Sequence, residues 1–278
     1  MKRLTLFISA VSLVFSGLTH AAAPATPPIK LWRLDCGAIQ EPDLNLFSDT
    51  YAYVGKSIRL VVSCYLIKHG DTYMLWDTGL SDEALGLPLQ GPGSTGESLT
   101  KKLVDQLATI GVSPRQIEII GISHYHQDHT GQAKHFPQAR LLMGQGDVKV
   151  LQKPDSTRAK PLSHWIGGGG KLEEVVGDKD VFEDQTVVMF DLPGHTPGHH
   201  GLLVKLARVG YVLLSGDVAH FKENYVKNGV PQFNTDRAQS LASLARFKET
   251  AQNLSATVII QHEQGDIGKL PAFPAFAE

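Results

Sequence analysis

The sequence predicts an α/β protein in which two sheets pack together with helices on the outside. Three observations lead there. Short runs rich in branched apolar residues alternate with segments of helical periodicity. The second half of the chain follows the same order of elements as the first, although no sequence repeat is visible. Metal-compatible side chains recur just after predicted strands, which gathers them at one edge of the layers.

The 278 residues suit one large domain, and 42% hydrophobic residues supply a sizeable core. A formal net charge of −2 offers no broad basic field and argues against nucleic acid or anionic lipid as partners. Lys2 and Arg3, the apolar run Leu4 to Leu18 and the small residues Ala21 to Ala23 have the layout of a secretory signal peptide. Residues 1–23 are therefore expected to be a leader and 24–278 the folded domain, exported to the periplasm or secreted. The apolar run is short for a membrane span, so no stable membrane insertion is expected. Ala22 to Pro28 reads as a flexible leader. The two cysteines, Cys36 and Cys64, could pair or could both be buried as small apolar residues.

Ile58 to Lys68 is rich in branched residues and reads as a strand. A turn at His69-Gly70-Asp71 leads into a second strand, Thr72 to Trp76, which ends at Asp77-Thr78-Gly79. Ser98 to Ile110 carries Leu99, Leu103 and Leu107 at helical spacing, with Gly111 placed to end the helix. Ile117 to Ile122 is a short apolar strand. After a loop marked by Gly167 to Gly170, Thr186 to Leu192 reads as a strand. Gly201 to Lys205 and Tyr211 to Ser215 read as a hairpin. Thr235 to Asn253 is a helix with Leu241, Leu244 and Phe247 on one face, and Thr257 to Ile260 is a last buried strand.

The strongest chemical signal is His124-Tyr125-His126-Gln127-Asp128-His129, at the end of the Ile117 to Ile122 strand. Three imidazoles and a carboxylate within six residues are good ligands for zinc-like ions. In extended backbone His124, His126 and Asp128 would share one face, and a following turn brings His129 round. His195, Asp217 and His262 each follow a predicted strand. Each is weak alone, but together they complete a metal-compatible set. His135, His199 and His200 fall outside it and read as supporting or structural.

This pattern resembles the metallo-β-lactamase superfamily, marked by H-x-H-x-D-H and a later His, Asp and His. The resemblance runs from Asp77 to His262 and implies an αββα sandwich of two mixed sheets. It implies one metal on His124, His126 and His195, a second on Asp128, His129 and His262, and Asp217 bridging both. Two zinc ions are the default cofactors, and the all-N/O set also suits other divalent transition metals. Such a pair can hold a bridging hydroxide that attacks an acyl carbon, with Asp128 shuttling a proton to the leaving group.

A narrower similarity, to N-acyl-homoserine lactonases, rests on Ser123 to Gly131 and Gly216 to Phe247, including Lys222-Glu223-Asn224-Tyr225. It implies ring opening of a small-molecule lactone or related ester, that is, quorum quenching. These lactonases carry a tyrosine three residues after the bridging Asp. Here His220 stands there and could donate to a developing oxyanion or simply wall the pocket. Tyr125, Trp165, Ile166, Phe221 and Leu44 to Tyr53 are candidate walls for an acyl groove. An exported organophosphate or ester hydrolase and a β-lactamase are the competing readings. Asp217 argues against the β-lactamase, and the complete ligand set argues against a non-enzymatic binding module. A homodimer is compatible with the sequence but not encoded in any motif.

Overall fold

The structure, a computed structural model, describes residues 27–278 together with Met1. The expected signal peptide, Met1 aside, lies outside the described residues. Among the described residues no helix is long and apolar enough to cross a membrane.

Seven strands form the first sheet: β1 (Ile29–Glu41), β2 (Ile58–His69), β3 (Thr72–Trp76), β4 (Gly96–Ser98), β5 (Ile117–Ile122), β6 (Arg140–Gly144) and β7 (Leu172–Val175). Their order is β4-β1-β2-β3-β5-β6-β7. The β4 to β3 half is antiparallel, and β3, β5, β6 and β7 run parallel. The second sheet has the order β12-β11-β10-β9-β8, from β8 (Lys179–Asp180), β9 (Val187–Asp191), β10 (His200–Leu206), β11 (Gly210–Leu214) and β12 (Thr257–Ile259). Only the β11–β12 pairing is parallel. The helices are α1 (Leu103–Thr109), α2 (Gln127–Thr130), α3 (Gln145–Leu151), α4 (Ser163–Ile166), α5 (Lys222–Lys227) and α6 (Arg237–Asn253).

Alternation along the strands explains the layering. Tyr65 and Ile67 of β2, with Met74 and Trp76 of β3, face Met189, Leu202, Val204, Val212 and Leu214 of the second sheet. The residues between them, Cys64, Leu66 and Leu75, point the other way and pack with Leu103, Leu107, Val148 and Trp165 of the helices. On the far side Phe190 and Leu213 meet Leu244 and Phe247 of α6. Three apolar layers separated by two sheets make the expected αββα sandwich. Burying apolar area at about 25 cal/mol per Å² is the main stabilising term of such a stack.

The structure corrects the sequence expectations at several points. The helix placed over Ser98 to Ile110 begins only at Leu103. Ser98 ends β4, which pairs with β1 through Ala38↔Ser98 and Ile39↔Glu97, so sheet-edge pairing overrides helical spacing there. Gly111, at φ +73°, does end the helix as expected. The strand β1 carries no regular alternation because the register shifts between Asp35 and Gly37, with Cys36 as the extra residue. The glycine run Gly167 to Gly170 does not divide the halves, since β7 after it still belongs to the first sheet. The open question about the cysteines is resolved: Cys36 and Cys64 form a disulfide, Cα atoms 5.8 Å apart, buried beside Leu34, Leu66 and Leu80.

Candidate metal centre

The predicted ligands come together at the ends of β5, β9, β11 and β12. His124 follows β5, His126 caps α2, and Asp128 and His129 lie within α2. The extended run expected from His124 to Asp128 therefore stops at His126, where the helix starts. That turn carries Asp128 and His129 towards a different cluster from His124 and His126. His195 sits in the loop after β9, Asp217 follows β11, and His262 follows β12.

Two groups result, each of which could hold a metal ion: His124, His126, His195 and Asp217, and Asp128, His129 and His262. In the first, His124 Nε2, His126 Nδ1 and His195 Nε2 form a triangle with edges of 2.9, 3.0 and 3.1 Å. In the second, Asp128 Oδ2 lies 3.4 Å from His129 Nε2 and 3.6 Å from His262 Nε2. Asp217 stands between them. Its Oδ2 is 3.5 Å from both His124 Nε2 and His195 Nε2. Its Oδ1 is 3.5 Å from His129 Nε2 and 3.2 Å from His262 Nε2. One carboxylate thus gives one oxygen to each group.

The second nitrogen of most of these rings is fixed by an oxygen. His129 Nδ1 donates to Asp77 Oδ2 at 2.9 Å, and His195 Nδ1 to Asn234 Oδ1 at 2.8 Å. His262 Nδ1 donates to the Val61 carbonyl at 2.8 Å, and Ser123 Oγ is 3.1 Å from His124 Nδ1. A neutral ring that donates on one side presents a lone pair on the other. Lone pairs aimed at one another cannot satisfy one another. Ligands about 2.0–2.1 Å from a tetrahedral zinc stand roughly 3.3–3.4 Å apart, close to these separations. His129 Nε2 and Asp217 Oδ1, which face each other across the second group, are buried without hydrogen-bond partners. The donor set fits divalent metal ions.

Electrostatics agree. Burial keeps His124 and His195 well below the usual imidazole range and brings His126 down to about 4, so this triad is neutral. Burial alone would raise the Asp217 carboxyl, but His220, His262, His129 and His124 hold it well below the carboxylate range. Asp128 is treated likewise: burial opposes, yet His129 and His262 bring it down to about 2. Burial also disfavours charge on His129, but Asp128, Asp217 and Asp77 lift it well above its ordinary value. Burial likewise disfavours charge on His262, but Asp217 and Asp128 raise it, so the second group pairs two carboxylates with two imidazoles whose protons a bound cation would displace.

His220 also reaches the centre, with Nε2 3.2 Å from Asp217 Oδ2. His199 supports it from behind: Nδ1 donates to the Leu192 carbonyl at 2.9 Å and Nε2 accepts the Asp217 N–H at 2.7 Å. His200 bonds the Gly198 carbonyl, and His135 pairs with Asp82 at the surface. All three stay outside the ligand groups, as expected. Sequence reading missed Asp77 and Asn234. Asp77 is fully buried at φ +58°, and a buried aspartate held in that strained region is the kind of feature that marks a site.

The expected acyl-groove residues divide. Trp165 donates to the Ala139 carbonyl and, with Ile166, packs in the outer core. Phe221 is buried under Phe47 and Tyr53. Phe47 does reach the centre, its ring edge-on to His220 at 4.9 Å. The unforeseen neighbour is Phe233, 45% exposed, whose ring lies 5.8 Å from both His195 and His220.

Comparison with known proteins follows the same lines. The metallo-β-lactamase superfamily profile matches residues 58–262. An N-acyl homoserine lactonase from Bacillus sp is 29% identical over 230 residues, covering 80% of this chain and 89% of that protein. The N-acyl homoserine lactonase AttM of Rhizobium radiobacter is 27% identical over 243 residues, with the same coverage. Among solved structures, an N-acyl homoserine lactone hydrolase with N-hexanoyl-L-homoserine bound at its catalytic metal centre superposes with a TM-score of 0.76 at 24% identity, over 91% of this chain and 100% of that one. The hydrolase AbOPH gives 0.62 at 18% identity, over 87% and 91%. With the profile spanning both ligand groups, the chain belongs to the metallo-β-lactamase superfamily.

Proposed function

We propose that this chain is an exported, dinuclear zinc hydrolase that opens the lactone ring of N-acyl-homoserine lactones. The observation that carries the reading is Asp217, one oxygen turned to each histidine group, in a chain whose lactonase relatives match 80% of its length. His124, His126 and His195 would hold one ion, and Asp128, His129 and His262 the other, with Asp217 shared. When bound, such a pair supplies a water of lowered pKa and polarises an ester carbonyl.

The remaining roles belong to the protein. Asp128, with its side chain 13% exposed, is the carboxylate at the centre most open to the cavity. It takes the proton of the attacking water and returns it to the ring oxygen as the acyl–oxygen bond breaks. The products are a carboxylate and an alcohol. His220, whose Nε2 lies beside Asp217 Oδ2, would donate to the oxygen on which negative charge develops. Phe47 and Phe233 flank it and present an apolar wall to an acyl chain. A phosphotriester is the second reading, since the same activated water could attack a neutral phosphorus ester.

Export rests on the leader-like start of the sequence and on the Cys36–Cys64 disulfide, which suits an oxidising compartment. The mature domain would then meet diffusible lactones outside the cytoplasm.

Purified protein should hydrolyse N-acyl-homoserine lactones of several chain lengths with higher kcat/KM than a β-lactam or a phosphotriester. Chelation should abolish that activity and zinc restore it; hydrolysis of the β-lactam alone overturns the substrate assignment. His220→Ala should lower kcat on a lactone by roughly tenfold or more. An unchanged kcat would remove His220 from the reaction. N-terminal sequencing of protein from an exporting bacterial host should find a start between Ala22 and Pro24; an intact Met1 in a cytoplasmic fraction contradicts export.

A further inference from the structure

Asp147 is a fully buried carboxylate that the mechanism above does not use. It is the third residue of α3. Its Oδ2 accepts the Tyr125 N–H at 3.1 Å and the Thr196 hydroxyl at 2.8 Å, and its Oδ1 accepts the Gly198 N–H at 2.7 Å. Tyr125 lies between His124 and His126, while Thr196 and Gly198 follow His195. One carboxylate therefore ties together the two chain segments that supply the three imidazoles of the first group. From this geometry we infer that Asp147 is a positioning residue, setting His195 against the His124–His126 pair and so the metal affinity of that group alone. The inference rests on the ligand assignment proposed above.

The local sequence is built for this contact. A Cβ on Gly146 would stand 2.5 Å from the Pro197 carbonyl, and one on Gly198 would stand 2.5 Å from Asp147 N. One on Gly144 would overlap the Gly198 carbonyl. Only glycine at these three places lets the first turn of α3 lie directly on Pro197-Gly198. The turn then delivers Asp147 into the gap between the loops.

A buried carboxylate is costly unless fully bonded. Burial pushes the Asp147 carboxyl up to about 7, against the downward pull of its bonds from Gly198, Thr196 and Tyr125. An apolar side chain would fill the space at lower cost but could not gather three donors from two loops. A second link between the segments, the His200 N–H to the Ser123 carbonyl at 2.9 Å, ties them further from the imidazoles. The other group has orienting partners that Asp147 does not touch. His129 is held by Asp77 and His262 by the Val61 carbonyl.

The test is metal binding to the full mature chain, stripped of metal and titrated with Zn²⁺ against a competing chelator. Co²⁺ absorption serves as a second readout. Wild type should take up two ions. Asp147→Asn, which puts an amide nitrogen against at least one N–H or O–H donor, should keep one ion at wild-type affinity. It should bind the other about 10–100-fold more weakly, with a changed Co²⁺ spectrum for that ion only. Thr196→Val removes one of the three bonds and should give a smaller loss at the same ion; it keeps the test open if Asp147→Asn does not fold. Two ions at wild-type affinity in both variants, or equal weakening of both ions, would overturn the inference. A wild-type chain that binds fewer than two ions overturns instead the ligand assignment beneath it.

Discussion

The Asp217 carboxylate, wedged between two groups of imidazoles, is the interaction on which the rest of the structure depends. It is 3% exposed, and among the described residues histidines, with no lysine or arginine, surround it. Its charge is stabilised by rings that approach from four different strand ends. The backbone beneath it is equally constrained. Gly216 adopts φ +50°, and a side chain there would strike His199, the ring that accepts the Asp217 N–H. The backbone of Asp217 is thus held in place, which is what preorganisation of the proposed two-ion centre would require.

That lock is spread over both sheets. Val61 in β2 orients His262, Asp77 at the end of β3 orients His129, and Asn234 before α6 orients His195. Asp77 shows how much local strain is accepted. It sits at φ +58°, yet it gathers the Ser123 N–H at 2.7 Å, the Ser123 hydroxyl at 2.9 Å and the His129 ring. The two sheets are the support, and chemistry collects along the edge they share.

The side chains of the two candidate groups were legible in the sequence because they are locally encoded. His124 to His129 is a dense cluster, and His195, Asp217 and His262 each follow a run that reads as a strand. The division of the cluster between two groups was also readable, although the turn occurs at His126 rather than after Asp128. What escaped were partners defined only by distance through space. Asp77, Asn234 and Asp147 look like ordinary turn or helix residues until the chain folds. In β1, the bulge at Cys36 erased the alternation that would have revealed a strand of 13 residues. The groove was legible only in part, through Phe47, for a similar reason: Trp165 and Phe233 are both aromatic residues near loops, and only packing tells the one in the core from the one beside the centre.

Family membership narrows the chemistry to metal-dependent hydrolysis, and the proposed acylated substrate would meet the apolar rings of Phe47 and Phe233 beside His220. The claim beneath both is that Asp217 joins two ions. Crystals of the zinc-loaded enzyme, measured on either side of the zinc absorption edge, address it directly. Two anomalous peaks about 3.5–4 Å apart, one at each oxygen of Asp217, are the predicted result. A single peak, or peaks that leave Asp217 untouched, would contradict it.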